Sequence, residues 1–329
     1  MPRTLALFTG PWTDLPLETV AAKAGEWGYQ ALNVACWGEH LAVQKALAEP
    51  AYCQSILSML QQHELSIVAL SNHPVGQAVS DRLDARHQAS LPDWVWGDGE
   101  PEGVAARAAQ EMIDTARAAQ QLGVNLVAGS TGSPFTSMLY NTPPITPGIL
   151  EGCWNKFYAA WKPILDAMNQ FGCRFACEIS PAQTVFDLIS TEQTIQAFHG
   201  HQAFGFSLAP STLHWQGVDP SEFVRLHSER LWHVLVQDAT ITLNGRSSLL
   251  GSLLPEGDPR RGWNHRALGM GNIDWAALIR TLHQVNYSGP LTVAIRDHDV
   301  DRDYAAFQAV DLIRRLDFDP VQRDNGIFG

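Results

Sequence analysis

The chain has 329 residues, of which 45% are hydrophobic and 17% charged. This composition supports a sizeable buried core and excludes an intrinsically disordered protein. The net charge of −12, from 22 basic and 34 acidic residues, argues against nucleic-acid and anionic-membrane partners, since both require clustered Lys and Arg.

Short runs rich in aliphatic and β-branched residues recur along the chain. Several of them are apolar without alternation, which is typical of parallel strands covered on both faces. Eight strands are predicted, at residues 4–9, 31–36, 66–71, 125–130, 174–179, 204–208, 231–236 and 291–295.

Longer amphipathic segments separate these runs. Helices are predicted at residues 16–28, 45–63, 103–122, 150–171, 191–199, 220–228, 275–286 and 304–316. Gly28, Gly123 and Gly172 stand where a helix should end before a strand, and we expect Pro50 to delay or kink the second helix. The alternation predicts an α/β fold, a single (β/α)8 TIM barrel with residues 1–329 as one domain.

Two long connections stand out at the carboxyl ends of predicted strands, where such barrels place their sites. Residues 72–101 follow the third strand and contain Trp94 and Trp96, and residues 239–271 follow the seventh and contain Arg260 and Arg261. We expect these connections to be long loops that cover the C-terminal face as lids. Oligomer contacts are the alternative.

Nothing in the sequence indicates a secretory signal or a membrane-spanning helix, which needs about 18 consecutive apolar residues. The five cysteines are scattered with no CxxC pair, so neither a disulfide framework nor a zinc knuckle is indicated. We therefore expect reduced thiols and a cytoplasmic location.

Polar residues at the strand ends are candidates for the site. Glu178 ends the fifth strand, His73 follows the third, and Arg296 follows the eighth. The sixth strand instead runs into Ala209-Pro-Ser-Thr212, which contains no ionisable group.

Several loop and strand-end motifs carry a family resemblance that extends over essentially the whole chain. They are FTGPW at 8–12, ACWGEH at 35–40, SNHPVGQA at 71–78, GSP at 132–134, WQGVDP at 215–220, DPRRGW at 258–263 and IRRLDF at 313–318. Together they resemble the xylose isomerase-like sugar isomerases and epimerases, which implies a TIM barrel. The resemblance also implies a divalent cation held by Glu, Asp, His and Glu on strands 5 to 8. That ion would polarise sugar oxygens while carboxylates move a proton between carbons.

Only one of these four metal-ligand positions is filled. Glu178 matches the Glu of strand 5, whereas Ala209, Leu235 and Ala294 stand where the family has Asp, His and Glu. A single carboxylate cannot hold a divalent ion against water. The resemblance therefore predicts a degenerate metal site and no cofactor or, if there is one, a divalent cation such as manganese.

Two functional hypotheses follow. The first is a carbohydrate-binding pseudoenzyme or partner subunit. The alternative is an active isomerase or epimerase that works without metal, or with a divalent ion relocated around Glu178, through His73, His233 or His298 and Asp238. The expected partners are a small sugar or sugar derivative, and a second copy or a related subunit in a homodimer or hetero-oligomer.

Glu178 is the candidate catalytic residue, either as a base whose pKa is raised by apolar neighbours or as a carboxylate paired with Arg296 or Arg174. Arg296 could replace the lost positive charge and bind a sugar carboxylate or phosphate, or pair with Glu178 or Asp297. The predicted substrate-binding residues are Trp37, His73, Arg261, Trp263 and Arg296.

Overall fold

Eight parallel strands close into a barrel in the computed structural model, which describes residues 3–140 and 142–318. The barrel strands are β1 (Leu5–Phe8), β2 (Ala31–Ala35), β3 (Ser66–Ser71), β4 (Leu126–Gly129), β5 (Arg174–Glu178), β6 (Phe204–Leu208), β7 (Leu231–Val236) and β10 (Leu291–Val293). They pair in the order β1-β10-β7-β6-β5-β4-β3-β2. The predicted TIM barrel and its eight strands are confirmed.

Helices surround the barrel and cross its C-terminal face. They are α1 (Leu17–Trp27), α2 (Val43–Ala48), α3 (Pro50–Gln62), α4 (His73–Ser80), α5 (Ala85–Gln88), α6 (Asp93–Trp96), α7 (Pro101–Gln121), α8 (Pro147–Gln170), α9 (Leu188–Ala197), α10 (Pro210–His214), α11 (Pro220–His227), α12 (Trp275–Gln284) and α13 (Arg302–Leu316). None of these described helices is long and apolar enough to cross a membrane.

The predicted helix 45–63 is two helices, α2 and α3. Glu49 between them is extended, with φ −127° and ψ 93°, because the ring of Pro50 disfavours the helical conformation in the residue before it. Pro50 is then the first residue of α3, where its missing N–H costs nothing.

The two long connections are more ordered than predicted. Residues 72–101 contain α4, α5 and α6, and residues 239–271 carry an antiparallel hairpin of β8 (Asp238–Ile241) and β9 (Trp263–Arg266). Both connections thus contain short helices or a hairpin, which are harder to detect in a sequence than barrel elements.

The barrel interior is built in layers beneath the C-terminal face. His233 is fully buried, and its Nδ1 and Nε2 lie 2.7 Å from Ser207 Oγ and 2.8 Å from Thr292 Oγ1. Burial lowers the pKa of this imidazole to about 3. Leu235, two residues further along β7, points the same way one layer nearer the surface.

Candidate functional site

A cavity of about 640 Å³ lies at the C-terminal end of the barrel, and we call it the first cavity. Side chains from several strand ends and from the β8–β9 connection line it. They include Phe8, Trp37, His73, Ser130, Glu178, Gln183, Leu235, Gln237, Glu256, Ala294, Arg296 and His298. Its size is typical of a small-molecule site.

The three positions at which the resemblance places Asp, His and Glu ligands form one cluster beside this cavity. Ala209, Leu235 and Ala294 are 0%, 5% and 6% exposed and form a hydrophobic cluster against Phe8. We call these four residues the apolar floor. Their aliphatic and aromatic side chains carry no lone pair for a cation, although Leu235 and Ala294 line the cavity.

Glu178 stands beside the apolar floor and pairs with a histidine. Its Oε2 lies 2.9 Å from His73 Nε2, and the Glu178 side chain is 16% exposed. His73 reaches it as the first residue of α4. Burial raises the pKa of Glu178, but the hydrogen bond and charge of His73, with the charges of Arg296 and His265, lower it overall. The predicted upward pKa shift and the predicted arginine partner are both wrong.

Arg174, one of those proposed partners, begins β5 at the opposite end of the strand from Glu178. Its guanidinium carbon lies 4.6 Å from the centre of the Trp232 ring. The length of β5 therefore separates it from the first cavity.

Arg296 lines the cavity but pairs with a residue that the sequence did not indicate. Its Nη2 donates to Glu256 Oε1 and Oε2 at 3.0 and 3.2 Å, so neither Glu178 nor Asp297 is its partner. Glu256 also contacts His265 Nδ1 at 2.9 Å. Burial raises the pKa of Glu256, but His265 and Arg296 outweigh it and hold the pKa well below the usual range.

Three aromatic rings form one corner of the first cavity. The ring centres of Phe8, Trp37 and His73 lie 5.8 to 6.0 Å from one another, with interplanar angles of 58° to 89°. Such a corner offers flat apolar faces to a sugar ring. The structure thus brings the predicted residues Trp37 and His73 together with Glu178.

Arg261 and Trp263, predicted to bind substrate, do not line this cavity. Trp263 stacks on Trp215 at 4.5 Å with an interplanar angle of 5°. Arg261 donates to the Leu254 carbonyl at 2.7 Å and covers the Trp263 ring. Both residues hold the β8–β9 connection together, which corrects their expected position in the cleft.

The carboxylate of Asp238 accepts hydrogen bonds from the backbone around it and from one side chain. Its carboxylate accepts from Trp275 Nε1 at 3.0 Å and from backbone N–H groups. Those groups belong to Ala239, Gly269, Gly271 and Ile273. A ligand would have to break these bonds to reach the carboxylate.

The residues present do not fit the divalent cation that the family resemblance implies. Both nitrogens of His233 face hydroxyls, and the carboxylate of Asp238 is occupied. Within residues 3–140 and 142–318, no group of three or more His, Cys, Asp or Glu side chains is arranged to hold a metal ion. Glu178 therefore has no neighbouring set of ligands with which to share an ion.

Residues 21–316 match the sequence profile of a family described as xylose isomerase-like TIM barrel. No curated protein sequence matched the chain. Three similar solved structures have different activities. They are D-psicose 3-epimerase in the presence of D-fructose (13% identity, TM-score 0.63, covering 96% of this chain and 99% of that one), 3-keto-D-glucoside 4-epimerase from E. coli (12%, 0.66, 95% and 99%) and the probable 3-DHS dehydratase from Bacillus anthracis (13%, 0.67, 94% and 98%). At these identities the likeness establishes the fold, while function depends on the site.

Proposed function

The chain belongs to the xylose isomerase-like TIM barrel family, and we propose that it is a non-catalytic member that binds a carbohydrate, alone or as the partner subunit of an active relative. One observation carries this proposal. Ala209, Leu235 and Ala294 pack together against Phe8, at the positions where the resemblance places three of the four metal ligands. The apolar floor thus stands where the resemblance places most of the metal site.

The charged side chains that remain around the first cavity do not replace the stabilisation that a metal ion would give. Moving a proton between sugar carbons creates an enediolate, and its negative charge must be stabilised by cations or aligned donors. Arg296 lines the first cavity, but its guanidinium donates to Glu256. The apolar floor supplies no donor at all. Ordinary isomerisation would therefore lack its main source of transition-state stabilisation.

Binding of a sugar is supported by what the cavity retains. Phe8 and Trp37 provide apolar faces, and Ser130, Gln183 and Gln237 provide hydroxyl and amide groups around the same space. Aromatic faces combined with a few placed polar groups are typical of ligand sites. Structures of similar proteins were solved in the presence of D-fructose and with D-tagatose.

Metal content and sugar binding test this proposal together. After loading with manganese and dialysis, we expect no stoichiometric ion by mass spectrometry. We expect calorimetric sugar affinities to be the same with and without a chelator. Stoichiometric manganese, or sugar turnover that requires it, would overturn the proposal.

A gain-of-function variant sharpens the test. The triple variant Ala209→Asp, Leu235→His, Ala294→Glu restores the family's ligand types around Glu178, so we expect it to retain about one manganese ion per chain. Ala209→Asp alone is the matched control and should retain none, because two carboxylates form too weak a site. Failure of a folded triple variant to bind manganese would count against the alignment of these positions with the metal site.

The second candidate function is metal-free proton transfer through Glu178. It is favoured by the Glu178–His73 pair, which lines the same cavity as a second carboxylate, Glu256. Sugar epimerisation in the presence of a chelator, lost in a folded Glu178→Gln variant, would favour this function over the non-catalytic one. Absence of turnover in both proteins would leave binding as the function.

A further inference from the structure

A second cavity of about 420 Å³ adjoins the first. The two cavities share four lining residues, namely His73, Pro74, Ser130 and Ala182. The other lining residues of the second cavity lie on or near α4 and α5, and in the segment after β4. They are Gln77, Asp81, Arg86, His87, Ser90 and Thr136.

A chain of polar side chains joins the walls of the two cavities. Gln183, which lines the first cavity, donates to Gln77 Oε1 at 2.6 Å. Gln77 in turn donates to Asp81 Oδ2 at 2.6 Å, and His87 Nε2 lies 3.4 Å from the same oxygen. At its other end, Gln183 Oε1 accepts from the Thr131 N–H at 2.7 Å. These bonds fix the wall of the second cavity before any ligand arrives, which lowers the cost of binding.

The charges of both cavities disfavour an anion. Among the described residues, the arginines that line them are Arg86 and Arg296. Arg86 donates to both carboxylate oxygens of Asp84 at 2.5 to 3.0 Å, and Arg296 donates to Glu256 at 3.0 and 3.2 Å. A phosphate or carboxylate would have to share the guanidinium with a carboxylate of the chain, whose negative charge opposes its binding.

A ligand with uncharged hydroxyl groups fits the lining of the second cavity better than an anion does. Ser90 and Thr136 present hydroxyls and Asp81 presents a carboxylate in the second cavity. Ser130 stands where the two cavities adjoin. Ser90 Oγ donates to the Arg86 and His87 carbonyls, and Thr136 Oγ1 donates to the Ser133 carbonyl. Both hydroxyl oxygens, like the Asp81 carboxylate, can therefore accept from the hydroxyl groups of a ligand without burying an added charge.

We propose that the ligand is an uncharged disaccharide or glycoside that spans both cavities. One sugar ring lies over the apolar floor beside Trp37, and its glycosidic substituent passes His73 and Ser130 into the second cavity. This inference rests on the proposed function and narrows its ligand from a sugar to a neutral glycoside. It also assigns a role to residues 72–101, which build most of the second cavity.

The test begins with a glycan array of neutral monosaccharides, disaccharides, methyl and aryl glycosides, and sugar phosphates. The best compound and its component monosaccharide are then compared by calorimetry. We expect the disaccharide or glycoside to bind at least about tenfold more tightly than its monosaccharide, because it occupies both cavities. Sugar phosphates should bind no more tightly than the corresponding neutral sugars.

Two variants test whether the second cavity causes this difference in affinity. Ser90→Trp and Thr136→Trp each fill the second cavity, so both should abolish the tenfold advantage and leave monosaccharide affinity unchanged. Ala89→Trp is the matched control, since Ala89 is exposed beside Ser90 and does not line either cavity. Circular dichroism melting confirms that each variant is folded.

Three results would overturn the inference. Equal affinity for monosaccharide and disaccharide would show that the second cavity binds nothing, while the proposed carbohydrate-binding function would stand. Equal effects of Ser90→Trp and Ala89→Trp would place the advantage elsewhere. An array on which no saccharide binds would overturn the proposed function as well.

Discussion

Arg296 and Glu256 form an ion pair at the first cavity although they lie 40 residues apart in sequence. The guanidinium Nη2 contacts both carboxylate oxygens, and the two side chains are 46% and 28% exposed. Glu256 also contacts His265, whose side chain is 3% exposed. The arginine that follows β10 is thus occupied by a carboxylate of the chain itself.

Removing that carboxylate should change which sugars bind. We expect Glu256→Gln to release Arg296 and to raise the affinity for a sugar phosphate such as fructose 6-phosphate by about tenfold, or about 1.4 kcal/mol, through a charge-assisted pair. Calorimetry against wild type measures the change. Glu229→Gln, an exposed carboxylate outside the cavity, should leave the affinity unchanged, and unchanged affinity in Glu256→Gln itself would contradict the argument.

Arg3, which precedes β1, pairs with Asp317, which follows α13. The Arg3 guanidinium pairs with Asp317, whose Oδ2 also accepts from the Arg3 N–H at 2.8 Å. Their side chains are 4% and 3% exposed. We expect Arg3→Ala to lower the free energy of unfolding by about 3 to 5 kcal/mol, because the buried Asp317 carboxylate loses its guanidinium partner and keeps the backbone N–H of residue 3 and the contact with His283 Nε2 at 3.3 Å.

Urea unfolding of a double-mutant cycle measures this interaction. Arg3→Met with Asp317→Leu should recover much of the loss, since neither charge then remains buried. The exposed pair Glu222–Arg225 on α11 is the comparison, and Arg225→Ala should cost less than about 1 kcal/mol. Equal losses for Arg3→Ala and Arg225→Ala would contradict the expectation that the buried pair matters more than the exposed one.

The barrel could be predicted from sequence because its signals are local. Each strand is a short apolar run and each major helix an amphipathic one, so periodicity and helix-ending glycines suffice. The convergence of Ala209, Leu235 and Ala294 also follows, because the carboxyl ends of barrel strands meet at one face. The break at Glu49 was less visible, since the sequence pattern continues across Pro50.

The partners within the site could not be predicted in the same way. Glu256 lies between β8 and β9, and its contact with Arg296 depends on how that segment folds back over the barrel. No periodicity specifies such a path. Trp263 was predicted to bind substrate because it belongs to a family motif. The motif does not specify the direction of its ring, which stacks on Trp215.

Asp238 should be essential to the shape of the β8–β9 region. It accepts from Trp275 Nε1 and from the Gly269 N–H at 3.0 Å. In Asp238→Asn an amide NH2 would face these donors, so we expect a loss of about 2 to 3 kcal/mol. Hydrogen exchange of residues 239–271 should accelerate. Asp274→Asn, which removes the same charge but keeps the acceptor of an N-cap, should do neither.

Glu111 should make the stability of the protein depend on pH. Burial and the charge of Asp114 raise its pKa from 4.5 to about 7, although Gln44 opposes the shift by donating to Glu111 Oε2 at 2.6 Å. A folded-state pKa above the unfolded value means that the folded chain binds the proton more tightly. Stability should therefore fall as pH rises from about 4.5 to about 7, and the full cost of roughly 3 kcal/mol remains at higher pH.

Glu111→Gln removes this titration while keeping an acceptor for Gln44. We expect the variant to be more stable than wild type by roughly 2 to 3 kcal/mol at pH 8.5 and similar to it at pH 4.5, as measured by urea unfolding. Glu102→Gln, at an exposed position of the same helix, should show no such difference between the two pH values. A Glu111→Gln effect of equal size at both values would mean that packing, and not the buried charge, determines the stability of this contact between α2 and α7.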